Sequence, residues 1–239
     1  MAEEIYQGDG SMKQDTAKKV PNPNAKRQTI TTVIIVVAIV LCGIYYIWDN
    51  FLGIQPDVKV EGTQISMHNK VQDLLDAGFV LCDDSGQVCD SADAIVGAKE
   101  VYNIDYFLGI PRESGGMYCD CTGVQITAAN FDSSKKELKD CAIFAIEYYP
   151  GFQDYGVEVL IHGQDLSEAS FDEWMDFFEN TGYPFKKDEL DECRRGDSGL
   201  LLETKGRYKY EANVWERYGE YKIFSLSFTR DIDVTYKTR

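Results

Sequence analysis

Residues 28–48 read QTITTVIIVVAIVLCGIYYIW, a run of 21 residues without a charge, bounded by Arg27 and Asp49. At about 1.5 Å per helical residue such a run covers roughly 30 Å, the thickness of a bilayer's hydrocarbon core. A soluble core segment rarely continues this far with nothing more polar than Thr and Gln. The run therefore reads as an uncleaved transmembrane helix. A cleaved signal peptide has a shorter apolar stretch ending in small residues, whereas this one ends in Tyr-Tyr-Ile-Trp. A lipoprotein signal places a small residue before its cysteine, but Leu41 precedes Cys42 and the apolar run goes on beyond it. Lys18, Lys19, Lys26 and Arg27 precede the run, and no Lys or Arg follows until Lys59. That asymmetry puts the N-terminus in the cytoplasm, with Arg27 at the inner membrane interface and Tyr45, Tyr46 and Trp48 at the outer one.

This anchor divides the chain into a polar tail (1–27) expected to be disordered, a span (28–48), a tether (49–57) and an extracytoplasmic part. From Leu52 onward the chain has 19 basic and 35 acidic residues, so this part alone accounts for the net charge of -16. A surface of that sign repels phosphates, which excludes nucleic acid as a partner. Hydrophobic residues make up 44% of the chain, enough for a packed core. Strand patterns are expected at 64–68, 101–110, 123–131 and 142–149, and again at 157–162, 199–203, 207–215 and 221–230. A short helix is expected over 69–77, stopped by Gly78. A longer one is expected over 170–181, with Ser170 and Glu173 as capping box, Phe171, Trp174, Met175 and Phe178 as apolar stripe, and Gly182 as stop. In the last strand Phe224, Leu226 and Phe228 are expected on one face and Tyr221, Ile223, Ser225 and Ser227 on the other. The order suggests an α+β fold of helices on antiparallel sheet, as two tandem β-α-β-β-β units covering 58–150 and 151–239.

VQDLLDAGF, following a strand in a one-pass anchored chain, resembles uncharacterised single-pass surface proteins of low-GC Gram-positive bacteria. The helix-on-sheet unit is similar in outline to modules of the β-lactamase-inhibitor-protein and SmpA type. The sequence likeness covers residues 64–79; it implies a non-catalytic binding module and carries over no functional residue.

Six cysteines lie beyond the span: Cys82, Cys89, Cys119, Cys121, Cys141 and Cys193. In an extracytoplasmic domain an even set reads as three disulfides. Cys82 and Cys89 flank DDSGQV, a turn-forming segment, and are expected to pair. Cys119 and Cys121 are too close to bridge and are expected to take Cys141 and Cys193 in either order. Cys-x-Cys with scattered partners lacks the spacing of zinc modules, so no metal and no cofactor are expected.

Other motifs have plainer explanations. Gly196-Asp197-Ser198-Gly199 resembles a serine-protease nucleophile loop, yet neither His68 nor His162 stands in a matching setting. Arg195-Gly196-Asp197 is an integrin-type triplet made of ordinary loop residues. Asp83, Asp84, Asp90 and Asp93 lack the alternation of a Ca²⁺ loop. Asp172, Glu173, Asp176 and Glu179 read as the wet side of an amphipathic helix. The resulting expectation is a membrane-anchored module without catalytic activity that binds an extracytoplasmic protein or other envelope partner. The alternative is a membrane-tethered hydrolase using paired external carboxylates.

Overall fold

The computed structural model describes residues 23–51, 56–102, 105–112, 116–197, 199–205, 208–217 and 220–230, with side chains of the first helix described for 30–44. That helix, α1 (Pro23–Phe51), is 29 residues long. Its side chains from Ile30 to Ile44 are all exposed. Among the described residues no helix is long and apolar enough to cross a membrane, and the expected span 28–48 reaches beyond the described side chains at both ends. The side chains of Arg27, Tyr45, Tyr46 and Trp48 lie outside the described ones, as does the structure of the expected tail up to residue 22.

The remainder, Ile47–Arg239, is one compact unit. Its elements in order are β1 (Val58–Val60), β2 (Thr63–Ile65), α2 (Val71–Asp76), β3 (Val80–Cys82), β4 (Ile95–Val96), β5 (Glu100–Val101), β6 (Tyr106–Pro111), β7 (Cys119–Asn130), β8 (Lys136–Glu137) and β9 (Ala142–Gln153). There follow β10 (Val159–Ile161), β11 (Gln164–Asp165), α3 (Phe171–Asn180), α4 (Lys187–Arg195), β12 (Leu200–Lys205), β13 (Tyr208–Arg217) and β14 (Glu220–Arg230). The fold is α+β, with antiparallel pairing throughout. A large sheet runs β12-β13-β14-β9-β7-β6-β3, with β5 also on β7; a small one runs β11-β10-β1-β2; β4 and β8 form a ribbon.

Hairpin, helix and meander thus occur twice. Each hairpin turns through two residues of positive φ, Glu61-Gly62 (48° and 75°) and His162-Gly163 (48° and 76°), the backbone twist that two-residue hairpins require. The hairpins meet back to back, with Lys59 opposite Leu160. The meanders meet through their last strands, with Ser227 opposite Glu147. These halves are not separate units: β9 crosses the expected boundary at 150 and carries β14 as its neighbour.

Helix α3 starts and stops as its sequence dictates. The Ser170 amide donates to Glu173 Oε2 at 2.8 Å while the Glu173 amide donates to Ser170 Oγ at 3.4 Å, which satisfies two otherwise orphaned groups. Gly182 follows at φ 74°. Trp174, Met175, Phe177 and Phe178 are buried and join side chains from both sheets in one core.

Two expectations fail for physical reasons. Helix α4 escapes pattern reading because it is almost wholly polar and buries only Leu190 and Cys193. Those two side chains anchor it in the core, and ion pairs link its surface to α3: Arg194 meets Asp176 at 2.6 Å and Glu179 at 3.4 Å, and Lys187 meets Glu179 at 2.6 Å. The supposed wet side of α3 is therefore partly a docking face for α4. In β14 the register shifts opposite Asn213/Val214. That bulge inverts the side-chain parity, so Ile223, Leu226 and Phe228 are buried while Phe224 packs on the stacked ring of exposed Trp215.

Trp174 is 2% exposed, so Trp174→Ala is expected to destabilise the domain by about 3–5 kcal/mol. Asp172→Ala, on an exposed position, is expected to stay within about 0.5 kcal/mol. Chemical denaturation of the two variants checks both.

Candidate functional site

The outward face of the large sheet carries the site, and backbone irregularity creates it. On β7, Thr122 pairs with Gln153 and Val124 with Tyr148, so a single residue, Gly123, answers the four-residue stretch 149–152 of β9. Gly123 has φ 70°, and a Cβ there would lie 2.6 Å from the Tyr149 carbonyl oxygen. Only glycine fits this backbone and this contact. The extra β9 residues bulge outward and form one wall of an open cleft of about 340 Å³.

The other wall is the turn after β3. Asp83 Oδ1 accepts from the Ser85 and Gln87 amides, both at 2.9 Å, and from the Ser85 hydroxyl at 2.7 Å. These bonds hold the carboxyl below the usual carboxylate range. Asp84, Gly86, Arg112, Tyr118, Phe152 and Asp154 are among the lining residues, with Cys119 and Cys121 at the base. Arg112 Nε donates to Asp120 at 2.6 Å, and the Cys121 amide donates to Asp154 Oδ2 at 2.7 Å.

The turn also closes a ring of strands. Cys82 on β3 lies opposite Phe107 of β6, Gly109 and Pro111 of β6 lie opposite Cys121 and Cys119 of β7, Tyr118 lies opposite Gln87, and Val88 bridges back to Cys82. Cys82, Cys119, Cys121 and Phe107 are buried together in a cluster separate from the main core. Gly109 makes room for them: a Cβ there would lie 2.1 Å from Cys119 Sγ and 3.1 Å from Cys82 Sγ.

None of the expected cysteine pairs is joined in this arrangement. Cys82 bridges Val88, not Cys89. Cys89 is one residue further along, so alternation turns its side chain the other way, where it packs on the main core. Cys141 and Cys193 are also buried in that core, away from Cys119 and Cys121. No disulfide joins any of the described cysteines. Burial raises the Cys119 thiol above its ordinary pKa and pushes Cys141 up to about 11. The Cys82 thiol is raised by its hydrogen bond to Cys121, then by burial, and Cys121 is lowered by the same bond. Among the described residues no cluster of His, Cys, Asp and Glu has the geometry to hold a metal.

An aromatic run leads away from the cleft. Phe107 meets Tyr149 and Phe152 at 5.7 and 5.4 Å, Tyr149 meets Phe224 edge-on at 5.5 Å, and Phe224 stacks on Trp215 at 4.1 Å. Phe152 is 39% exposed and Trp215 57%. Sequence reading missed this run because the bulges at Gly123 and Phe224 bring its members onto one face.

The remaining candidates are structural. Gly196 caps α4 in the left-handed conformation, the Asp197 amide donates to the Glu192 carbonyl, and Arg195 pairs with Asp197 at 2.9 Å; Ser198 lies outside the described residues. Asp93 pairs with Lys139 at 2.6 Å. His68 is exposed. His162 occupies the second hairpin turn and lies edge-on to Tyr183 at 5.0 Å, and burial lowers its pKa. No protein family, curated protein or solved structure matches the chain.

Gly109→Ala is expected to cost about 1–3 kcal/mol, the range for overpacking. Gly151→Ala, with nothing within 4 Å, is expected to be neutral; thermal melts of the pair check this. His162 binds its proton less well in the fold than in the unfolded chain, so stability holds above the ordinary imidazole pKa of about 6.5 and declines as pH falls below it. Asn suits the left-handed backbone at this position, so His162→Asn is expected to flatten that acid-side decline in urea titrations at pH 7 and pH 5.

Proposed function

We propose that this chain is a single-pass membrane protein, N-terminus in the cytoplasm, whose extracytoplasmic α+β domain binds a protein or other envelope partner. The uncharged run 28–48 and the Lys/Arg asymmetry around it support the anchor. So does the continuity of α1, whose residues Ile30, Ile34, Ile39 and Leu41 are each about 60% exposed (61%, 62%, 65% and 59%). Apolar surface of this kind is stable only against lipid or another apolar face.

The binding reading is carried by one observation: the aromatic run from Phe107 to Trp215, exposed at Phe152 and Trp215. Aromatic rings held by their neighbours lose little rotamer freedom on contact and bury a large area, which is why Trp and Tyr dominate binding hot spots. The domain's -16 charge favours a neutral or cationic partner and disfavours nucleic acid.

The hydrolase alternative is the weaker one. Asp84 and Asp154 line the cleft, but both are exposed, and Asp154 already accepts the Cys121 amide. A carboxyl acting as general acid near neutral pH needs burial or a like charge to raise its pKa.

Protease added to intact cells is expected to remove the acidic domain and spare residues 1–27; protection of the C-terminus would contradict the orientation. Chemical crosslinking in the native membrane is expected to capture a partner that both Trp215→Ala and Phe152→Ala lose, with stability changed by less than about 1 kcal/mol. Undiminished capture by both variants would contradict the aromatic surface.

A further inference from the structure

We propose that Cys82 and Cys121 are a dithiol–disulfide pair beneath the cleft, with Cys119 as a third thiol in contact with them. This is a redox site that accepts a small-molecule disulfide as its oxidant. The inference stands on the geometry of the strand ring and does not require the membrane placement or the binding reading.

Three observations carry it. First, the ring of β3, β6, β7 and residues 86–88 closes by hydrogen bonds on every side: Val88 N–H to Met117, Cys119 N–H to Gly86, Asp83 N–H to Gln87 and Cys89 N–H to Leu81. β3 and β7 are not paired with each other, yet the closed ring turns their side chains into one interior. Second, the residue of β6 facing these cysteines is Gly109, which lies opposite Cys121 in register and where any Cβ would run into the sulfurs of Cys119 and Cys82. Third, the sulfurs have distinct settings. Cys82 is 0% exposed and its single S–H has Phe107 O at 3.5 Å, Cys119 and Cys121 as its acceptors. The Cys119 thiol donates to the Gly86 carbonyl at 3.4 Å. Cys121 receives hydrogen bonds from Cys82 and from the Gly123 backbone, and it lines the open cleft at 6% exposure.

A thiolate is the attacking species in exchange, and the sulfur that accepts hydrogen bonds is the one most readily held as thiolate. Cys119 and Cys121 both accept from Cys82, but the Cys119 proton is held on the Gly86 carbonyl and Cys119 is only 1% exposed, which leaves Cys121 as the attacking thiolate, with the cleft as its route to solvent. Cys121 thiolate attacks one sulfur of a disulfide RSSR; a Cys121–SR bond forms and the S–S bond of RSSR breaks, releasing RS⁻. The Cys82 proton passes to that RS⁻, and the Cys82 thiolate attacks Cys121 Sγ, forming Cys82–Cys121 and expelling a second RS⁻. Two protein thiols lose two electrons, and RSSR gains them. The product ties β3 to β7 across Gly109 and fixes the turn that forms one wall of the cleft.

The test uses the full chain in detergent, reduced and then equilibrated with a glutathione/glutathione disulfide mixture. After an acid quench and alkylation, peptides are mapped without reduction. A Cys82–Cys121 link is expected, with Cys89, Cys141 and Cys193 alkylated. Because Cys119 and Cys121 fall in one peptide, Cys119→Ser decides between them: the link persists in this variant if Cys121 is the partner, and its loss overturns the assignment. Cys82→Ser is expected to leave a glutathione adduct stranded on Cys121; alkylated Cys121 without adduct, in a variant with native circular dichroism, overturns its role as attacking thiol. A wild-type link from Cys82 to Cys89, or both Cys82 and Cys121 alkylated after oxidation, overturns the pairing.

Discussion

The antiparallel seam between β9 and β14 is the interaction on which the outward site depends. Four residue pairs, from Leu226 opposite Tyr148 to Thr229 opposite Ala145, join the two meanders into one sheet. Tyr148 and Phe228 face the core from the two sides of this seam and are each 0% exposed. On the other face Tyr149 and Phe224 meet across it. Without the seam each half would leave a long unpaired edge, a liability in water, and the aromatic run would be cut in two. The small sheet repeats the logic at β1 and β10, whose pairing places both hairpins over the same core.

Within that regular frame the functional features are departures from regularity. Gly123 and the bulge it opposes open the cleft. The register shift opposite Asn213/Val214 sends Phe224 outward. The ring closed by residues 86–88 buries three cysteines together. A regular antiparallel sheet would place none of these groups in contact, because alternation and strand spacing keep them apart. Bulges are a common means of re-aiming side chains near sites.

Local signals were legible in the sequence and non-local ones were not. Ser170 and Glu173 mark the start of α3, Gly182 its end, and Trp174 its buried face, because capping and helical periodicity involve residues within a few positions of each other. The candidates 123–131, 142–149, 199–203, 207–215 and 221–230 fall on the long strands β7, β9, β12, β13 and β14, whereas the three-residue strands β1 and β3 are too short to show alternation. Helix α4 was not legible: it buries only Leu190 and Cys193, too few to make an apolar stripe, and its ion pairs to α3 are contacts no window of sequence contains. The pairing of Cys82 with Cys89 looked natural from spacing, but one residue of register decides which face a strand side chain takes, and Val88 holds the bridging position. Phe224 went the wrong way for the same reason, with a bulge in place of a turn.

The two halves are a single sheet, and the outward site exists because of it. Native-state hydrogen exchange across a urea series tests this most directly. The seam amides of β9 and β14 are expected to exchange only by global unfolding, with the same free energy as those of β1 and β10. Opening of residues 151–230 at a urea concentration where β6 and β7 stay protected would show two independent units, and would contradict the account.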